Sequence, residues 1–226
     1  MSNRVLQLKS DWDDRARRLG QTQKSVLFKR FPGWLNNHIH NQHVSFILEN
    51  IPPQTCRLLD VGCGYGRIAK AIKAHYPKLS CTGVELCTAF AATYEKEIGE
   101  CFNGAIQDFS LDKTYDAIII VTLLMYLDDS EHQNIIKKLW SNLNAGGVII
   151  CIEPAVEFLD LWHFFTRTES ASPTGGSVIH FNRLELKKIF PADGEVQDTM
   201  SVRLLPFLES TALHHGLAIC KPVDRP

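Results

Sequence analysis

Apolar positions from residue 55 onward alternate between short β-branched runs and longer segments with apolar residues three and four apart. The run Leu58-Leu59-Asp60-Val61 enters a glycine cluster and reads as a buried strand turning sharply into a helix. That helix turns Ile68, Ala71, Ile72 and His75 to one face, and Tyr76-Pro77 closes it. Further strands are predicted over 80–85, 101–106 (the weakest), 117–121 and 148–152. The run at 117–121 is apolar throughout and β-branched from Ile118 on, as in strands buried on both faces of a parallel sheet. Between the strands, Thr88 is placed to cap a helix carrying Ala91, Tyr94 and Ile98. Ser130 and Gln133 suit a capping box for a helix with Ile135, Ile136, Leu139 and Trp140 inward, ended by Gly146-Gly147. Strand-helix units of this length predict a doubly wound, mostly parallel α/β sheet with ligands at the carboxyl ends of its strands.

Both ends of the chain depart from this rhythm. Before the core, Ser10 is placed to cap a segment with Asp11, Asp13 and Asp14 early and Arg15, Arg17 and Arg18 late, an order that suits the helix dipole. A second segment puts Val44, Ile47, Leu48 and Ile51 at helical spacing and stops at Pro52-Pro53. Between them lies a stretch rich in aromatics and imidazoles, with Trp34, His38 and His40. After the core, 158–165 reads as an aromatic helix and 166–176 as a Ser/Thr/Pro/Gly loop. Asn182 and Glu185 suit a capping box. Over 196–204 Met200, Val202 and Leu204 alternate with polar residues, and 217–220 makes a last strand. The 226 residues divide as one domain, with a helical cap at 1–54, a core at 55–153, helices and a loop at 154–192 and a closing strand pair at 193–226.

Composition narrows the class of protein. With 45% hydrophobic and 22% charged residues the chain can bury one full core. A net charge of −1 gives no general attraction to nucleic acid or an anionic membrane. Seven cysteines without CxxC pairs or histidines at zinc spacing indicate neither a disulfide framework nor a metal site, and point to a reducing cytoplasm. No apolar run reaches the length of a membrane span, and the N-terminus lacks the apolar core of a signal peptide.

The candidate chemistry centres on Asp60-Val-Gly62-Cys63-Gly64-Tyr-Gly66-Arg67. Glycines permit the strand-to-helix turn and let a nucleoside lie against bare backbone. A dinucleotide fingerprint needs Gly or Ala three residues after its second Gly; here that residue is Arg67, and the third Gly comes one position early. An acidic residue closing the strand followed by Gly-x-Gly-x-Gly resembles the first motif of the class I S-adenosylmethionine-dependent methyltransferases. The resemblance continues through Glu85 and Asp108 to about Glu153 and covers neither end of the chain.

The resemblance implies a Rossmann-like sheet of seven strands, the last one antiparallel, with helices added at the N-terminus, and S-adenosyl-L-methionine as cofactor. Glu85 would accept the ribose hydroxyls, although a dehydrogenase would place an acid there too. Leu86 would pack on adenine, and Asp108, with Gln107 and Phe109 beside it, would meet the adenine amino group. Asp60 would orient the glycine turn or reach the methionine amino group. Arg67 would approach the methionine carboxylate or form a surface ion pair, and Thr122 would pass beside the methionine moiety.

The residues after the fourth strand narrow the acceptor. Thr122-Leu-Leu-Met-Tyr126 is neither the Asn/Asp-Pro-Pro-aromatic run of nucleic-acid amino methylation nor a carboxylate cluster of the metal-dependent catechol type. Glu153 lacks the partner of a paired-Glu loop. A small-molecule acceptor is therefore expected, without nucleic acid, metal or membrane, and a homodimer stays open. Trp34, His38, Tyr126 and Trp162 are candidates for its pocket. His163 and His180, which bracket the 166–176 loop, are candidates to orient or deprotonate it. Open alternatives are other chemistry on the same cofactor, a nicotinamide-dependent oxidoreductase, and a noncatalytic cofactor-binding subunit.

Overall fold

The computed structural model describes residues 3–155, 181, 183–204, 207 and 212–223. Three helices lead, α1 (Asn3–Leu19), α2 (Gln23–Val26) and α3 (Gly33–Asn50). The core comes next as β1 (Arg57–Val61), α4 (Arg67–His75), β2 (Ser80–Glu85), α5 (Thr88–Glu97), β3 (Cys101–Asn103) and β4 (Tyr115–Val121). A 3-10 turn (Leu124–Tyr126), α6 (Asp129–Ser141), β5 (Leu143–Pro154), α7 (Arg183–Lys188), β6 (Glu195–Arg203) and β7 (Ala212–Cys220) complete it.

The strands form one seven-stranded sheet in the order β3-β2-β1-β4-β5-β7-β6. Pairing is parallel from β3 to β5, and β7 enters antiparallel to both β5 and β6. Because side chains alternate across a strand, each central strand feeds two cores. Leu59, Ile118, Ile120, Ile149 and Cys151 face α6 and α7, meeting Ile136, Leu139 and Leu186. Leu58, Ile119, Val121, Ile150 and Ile152 face α3, α4 and α5, meeting Ile47, Ile72 and Tyr94. Every residue of both strand sets is 8% exposed or less, which is why these runs read as continuously apolar. The order reverses at β1, which lies between β2 and β4, so a crevice opens at their carboxyl ends.

Several boundaries differ from the sequence expectation. Ser10 lies inside α1 rather than at its start. The neighbouring Asp13 instead crosses to α5, where its Oδ1 accepts the Thr88 amide at 2.9 Å, while the Thr88 hydroxyl accepts Lys9 Nζ at 2.5 Å. Thr88 is thus the first helical residue after Cys87, not the cap. The capping box of α6 is Asp128 with Glu131, whose Oε2 accepts the Asp128 amide at 2.8 Å; Ser130 and Gln133 are both within the helix. Gly146 and Gly147 do not end that helix, which stops at Ser141; they lie inside β5, where Gly146 has φ +73°. The third strand is cut to three residues because Gly104 and Ala105 open a turn toward Asp108. The aromatic segment 158–165, the loop 166–176 and Asn182 lie outside the described residues.

Candidate functional site

The glycine cluster turns the chain from β1 into α4. Gly62, Gly64 and Gly66 take φ of +74°, +55° and +86°, a left-handed region closed to most side chains. Val84 O holds the turn by accepting the amides of Gly62 and Cys63 at 2.8 and 3.1 Å. At Gly66 an added Cβ would stand 2.8 Å from Ile98 Cγ1 and 3.1 Å from Tyr94, so this residue serves helix packing. At Gly64 only Val26 Cγ1 comes near, at 3.3 Å. Cys63 is buried, its sulfur 3.9 Å from that of Cys101.

Glu85 ends β2 with its carboxylate spanning the two turns around it. Oε2 accepts the Gly64 amide at 2.8 Å and Oε1 the Cys87 amide at 2.7 Å. Burial raises its pKa, and these amides pull in the opposite direction. Each oxygen keeps a second lone pair for a ligand hydroxyl.

Above this floor lies an open cleft with about 810 Å³ of empty space, adjoining solvent included. Gly62, Gly64, Glu85, Leu86 and Gln107 line one side, Thr122, Leu123 and Tyr126 the other. Val5, Leu8 and Trp12 of α1 close over it, Trp12 meeting the Tyr126 ring edge-on at 5.7 Å. The Arg15 guanidinium stacks over Trp12 and also donates to Leu27 O at 2.7 Å, fixing this wall.

A second compartment, of about 340 Å³, shares Val26, Gly62, Gly64, Val121 and Thr122 with the cleft and adds Asp60, Tyr65 and Arg67. Asp60 is 3% exposed, and its Oδ2 has no hydrogen-bond partner. Burial raises its pKa to about 7 against the downward pull of Arg67. Arg67 donates from Nη1 to His40 Nδ1 at 2.9 Å and from Nη2 to His43 Nδ1 at 3.2 Å. Burial lowers the Arg67 pKa only to about 10, so it is a cation at neutral pH. The two imidazoles are neutral there: burial, aided by Arg67, lowers His40 to about 4, and burial with the His214 and Arg67 charges takes His43 well below its usual value.

The segment after β4 closes the site. Thr122 has φ +55°, the non-glycine residue with positive φ among those described, and borders both compartments. A β-branched residue adopts this conformation only where its surroundings impose it. They do so through Glu153, 0% exposed at the end of β5. Glu153 Oε1 accepts the amides of Leu123 and Leu124 at 2.9 and 2.8 Å, and Oε2 that of Met125 at 3.2 Å. Burial raises its pKa to about 8, with the three amides opposing. The buried His132 adds a 2.7 Å contact from Nε2 to Leu124 O.

The residues singled out from the sequence are thus only partly brought together. Asp60, Gly62, Cys63, Gly64, Arg67, Glu85, Leu86, Gln107, Thr122 and Tyr126 all border the two compartments. Gln107 Nε2 also donates to Glu131 Oε1 at 2.8 Å. Asp108 is exposed and borders neither compartment, and Phe109 packs on Phe102 at 5.3 Å instead. Trp34, 70% exposed, and His38 lie on the outer face of α3 rather than at the cleft. Trp162, His163 and His180 lie outside the described residues. Sequence reasoning missed Trp12, the contacts of His40 and His43 with Arg67, and the amide-binding role of Glu153. Each acts on residues distant in the chain, and no local pattern marks them.

Residues 58–147 match the family model described as a methyltransferase domain. Over 144 residues the chain is 26% identical to a malonyl-[acyl-carrier protein] O-methyltransferase of Priestia megaterium, covering 56% of this chain and 50% of that protein. Over 119 residues it is 29% identical to a eugenol O-methyltransferase of Ocimum basilicum, covering 53% and 32%. The matched part is thus half or less of these curated relatives. Among solved structures, magnesium protoporphyrin IX methyltransferase from Synechocystis superposes with a TM-score of 0.66 at 14% identity, covering 97% of this chain and all of that one. The N-methyltransferase NodS from Bradyrhizobium japonicum gives 0.65 at 13% identity, covering 98% and 100%. The domain match spans the acidic glycine motif and Glu85, so residues 58–147 resemble a methyltransferase domain, and the chain as a whole shares the fold of these solved structures.

Proposed function

We propose that the protein transfers the methyl group of S-adenosyl-L-methionine to an N, O or C nucleophile of a small-molecule acceptor. The observation that carries this reading is the pair of joined compartments. One is apolar with an acid at the end of β2; the other holds an unpartnered buried carboxylate oxygen beside a cation. An adenosine with a zwitterionic amino-acid end matches that division. Glu85 would accept the ribose hydroxyls, Leu86 and Gln107 would border the base, and Asp60 and Arg67 would hold the ammonium and carboxylate.

The cofactor, when bound, supplies a methyl group already activated on a sulfonium. The protein's task is then to bind, orient and keep out water. Val5, Leu8 and Trp12 cover the cleft, and Glu153 holds the 123–125 backbone that follows Thr122. A base is needed only for an acceptor that arrives protonated. His163 and His180 are proposed for that role, with Trp162 and Tyr126 in the acceptor pocket and 166–176 as its lid. The curated relatives, named for oxygen methylation, support a small acceptor with a hydroxyl or carboxyl group. Seven unpaired cysteines support a reducing cytoplasm. No helix among the described residues is long and apolar enough to cross a membrane.

Calorimetry with S-adenosylhomocysteine and with NAD tests the cofactor, and incubation with labelled cofactor and a metabolite extract tests transfer. Binding of the homocysteine product together with a metabolite that gains a methyl group is the expected result. Binding of NAD alone would overturn the reading.

A further inference from the structure

We propose that His40 and His43 are positioning residues that hold the Arg67 guanidinium, charge intact, for the carboxylate of the cofactor's amino-acid end. The inference rests on the cofactor reading above and extends it to two α3 residues that border neither compartment. Arginine has no acceptor atom, so its contacts at 2.9 and 3.2 Å require both Nδ1 atoms to be unprotonated acceptors. The tautomer of each ring is thereby fixed, with the hydrogen on Nε2. His43 is 0% exposed, and its Nε2 has no hydrogen-bond partner, so the Nδ1 contact to Arg67 is what orients the ring in the hydrogen-bond network.

The choice of acceptor has a physical consequence. A carboxylate in place of either imidazole would hold the guanidinium as firmly but would neutralise it, leaving little attraction for an incoming anion. Two neutral rings fix a side chain that is otherwise free among many rotamers and leave its charge available. The other groups facing this cluster are His214 of β7, edge-on to His43 at 4.9 Å, and Tyr65 and Asp60 on the Arg67 side. Asp60 lines the same compartment, so the site presents a fixed cation and a buried carboxyl to the two ends of an α-amino acid.

Calorimetry on the full chain with two ligands tests the proposal. S-adenosylhomocysteine carries the amino-acid end, and 5′-methylthioadenosine keeps the adenosine and sulfur without it. His40→Phe and His43→Phe keep a ring and remove the acceptor. Each should weaken S-adenosylhomocysteine by roughly tenfold or more and leave 5′-methylthioadenosine unchanged. His40→Asn and His43→Asn, whose Oδ1 can stand near the Nδ1 position, should recover most of the loss. A merely structural role would weaken both ligands together and would not be rescued by Asn. If His43→Phe does not fold, His40→Phe at its half-buried position carries the same reading. Full S-adenosylhomocysteine affinity in the Phe variants would overturn the positioning role alone. A native protein that binds neither nucleoside would remove the cofactor reading, and this one with it.

Discussion

Glu85 Oε2 accepts the amide of Gly64 at 2.8 Å, so the acid expected to meet a ribose also holds the glycine turn against which the ligand would lie. Floor and ligand contact are therefore coupled through one carboxylate. Glu85→Ala should weaken S-adenosylhomocysteine by about 1–3 kcal/mol and lower the melting temperature of the free protein as well, because two buried amides lose their acceptor. Calorimetry and thermal unfolding on the same variant measure the two effects. Loss of affinity without any loss of stability would show that the Gly64 contact contributes nothing to the free fold.

Asp60 supplies a pH signature. In the free protein its pKa is raised to about 7, and an ammonium group is held more tightly by the ionised form. Affinity for S-adenosylhomocysteine should therefore rise with pH through about 7 and level off above it, with a proton released on binding. Asp60→Asn should be weaker and flat across that range. Titrations in two buffers of different ionisation enthalpy detect the proton, and equal heats in both would contradict the assignment.

Gly64 and Gly66 should separate binding from stability. Gly66→Ala drives a methyl into Ile98 and Tyr94 and should destabilise the fold by roughly 1–3 kcal/mol. Gly64→Ala meets only Val26, at 3.3 Å, and its φ of +55° costs about 1–2 kcal/mol. Its larger effect should be on ligand affinity, since the residue borders both compartments. Denaturant unfolding and calorimetry on the two variants would show whether this order holds.

Glu153 governs the loop after β4. It keeps a proton to about pH 8 in the folded chain but only to about 4.5 when exposed to water. Between those values the folded state binds more protons than the unfolded one, so this contribution is full below 4.5 and is lost as pH rises through 8. The melting temperature should fall over that window, and Glu153→Gln should flatten the fall. Glu153→Ala should cost at least about 2 kcal/mol, as three amides lose their acceptor.

What the sequence conveyed depended on whether the deciding interaction was local. The β-branched run of β4 and the glycine turn can be read directly, because burial on two faces and positive φ each restrict residue type at the position itself. The caps could not be read so well. Asp128 with Glu131 and Ser130 with Gln133 satisfy one spacing rule two residues apart, and the turn at Leu124–Tyr126 decides between them by where it delivers the chain. Asp13 looked like a first-turn acid of its own helix and serves α5 instead. Asp60 and Glu85, expected at strand ends, both border the compartments, whereas after the short third strand it is Gln107 rather than Asp108 that borders the cleft. His40 and His43 lie 27 and 24 residues from Arg67, beyond any local pattern.

The antiparallel entry of β7 beside β5 has a consequence for synthesis of the chain. β5 carries Val148 to Ile152 fully buried, and its outer edge is satisfied by residues 214–220. Until those residues follow, a chain that has emerged as far as β5 leaves this apolar run with one edge unpaired, a template for other strands. Glu153, which sets the loop over the site, stands on that same strand opposite His215. Pairing of residues 214–220 therefore closes the open edge of β5 and flanks the strand that carries Glu153.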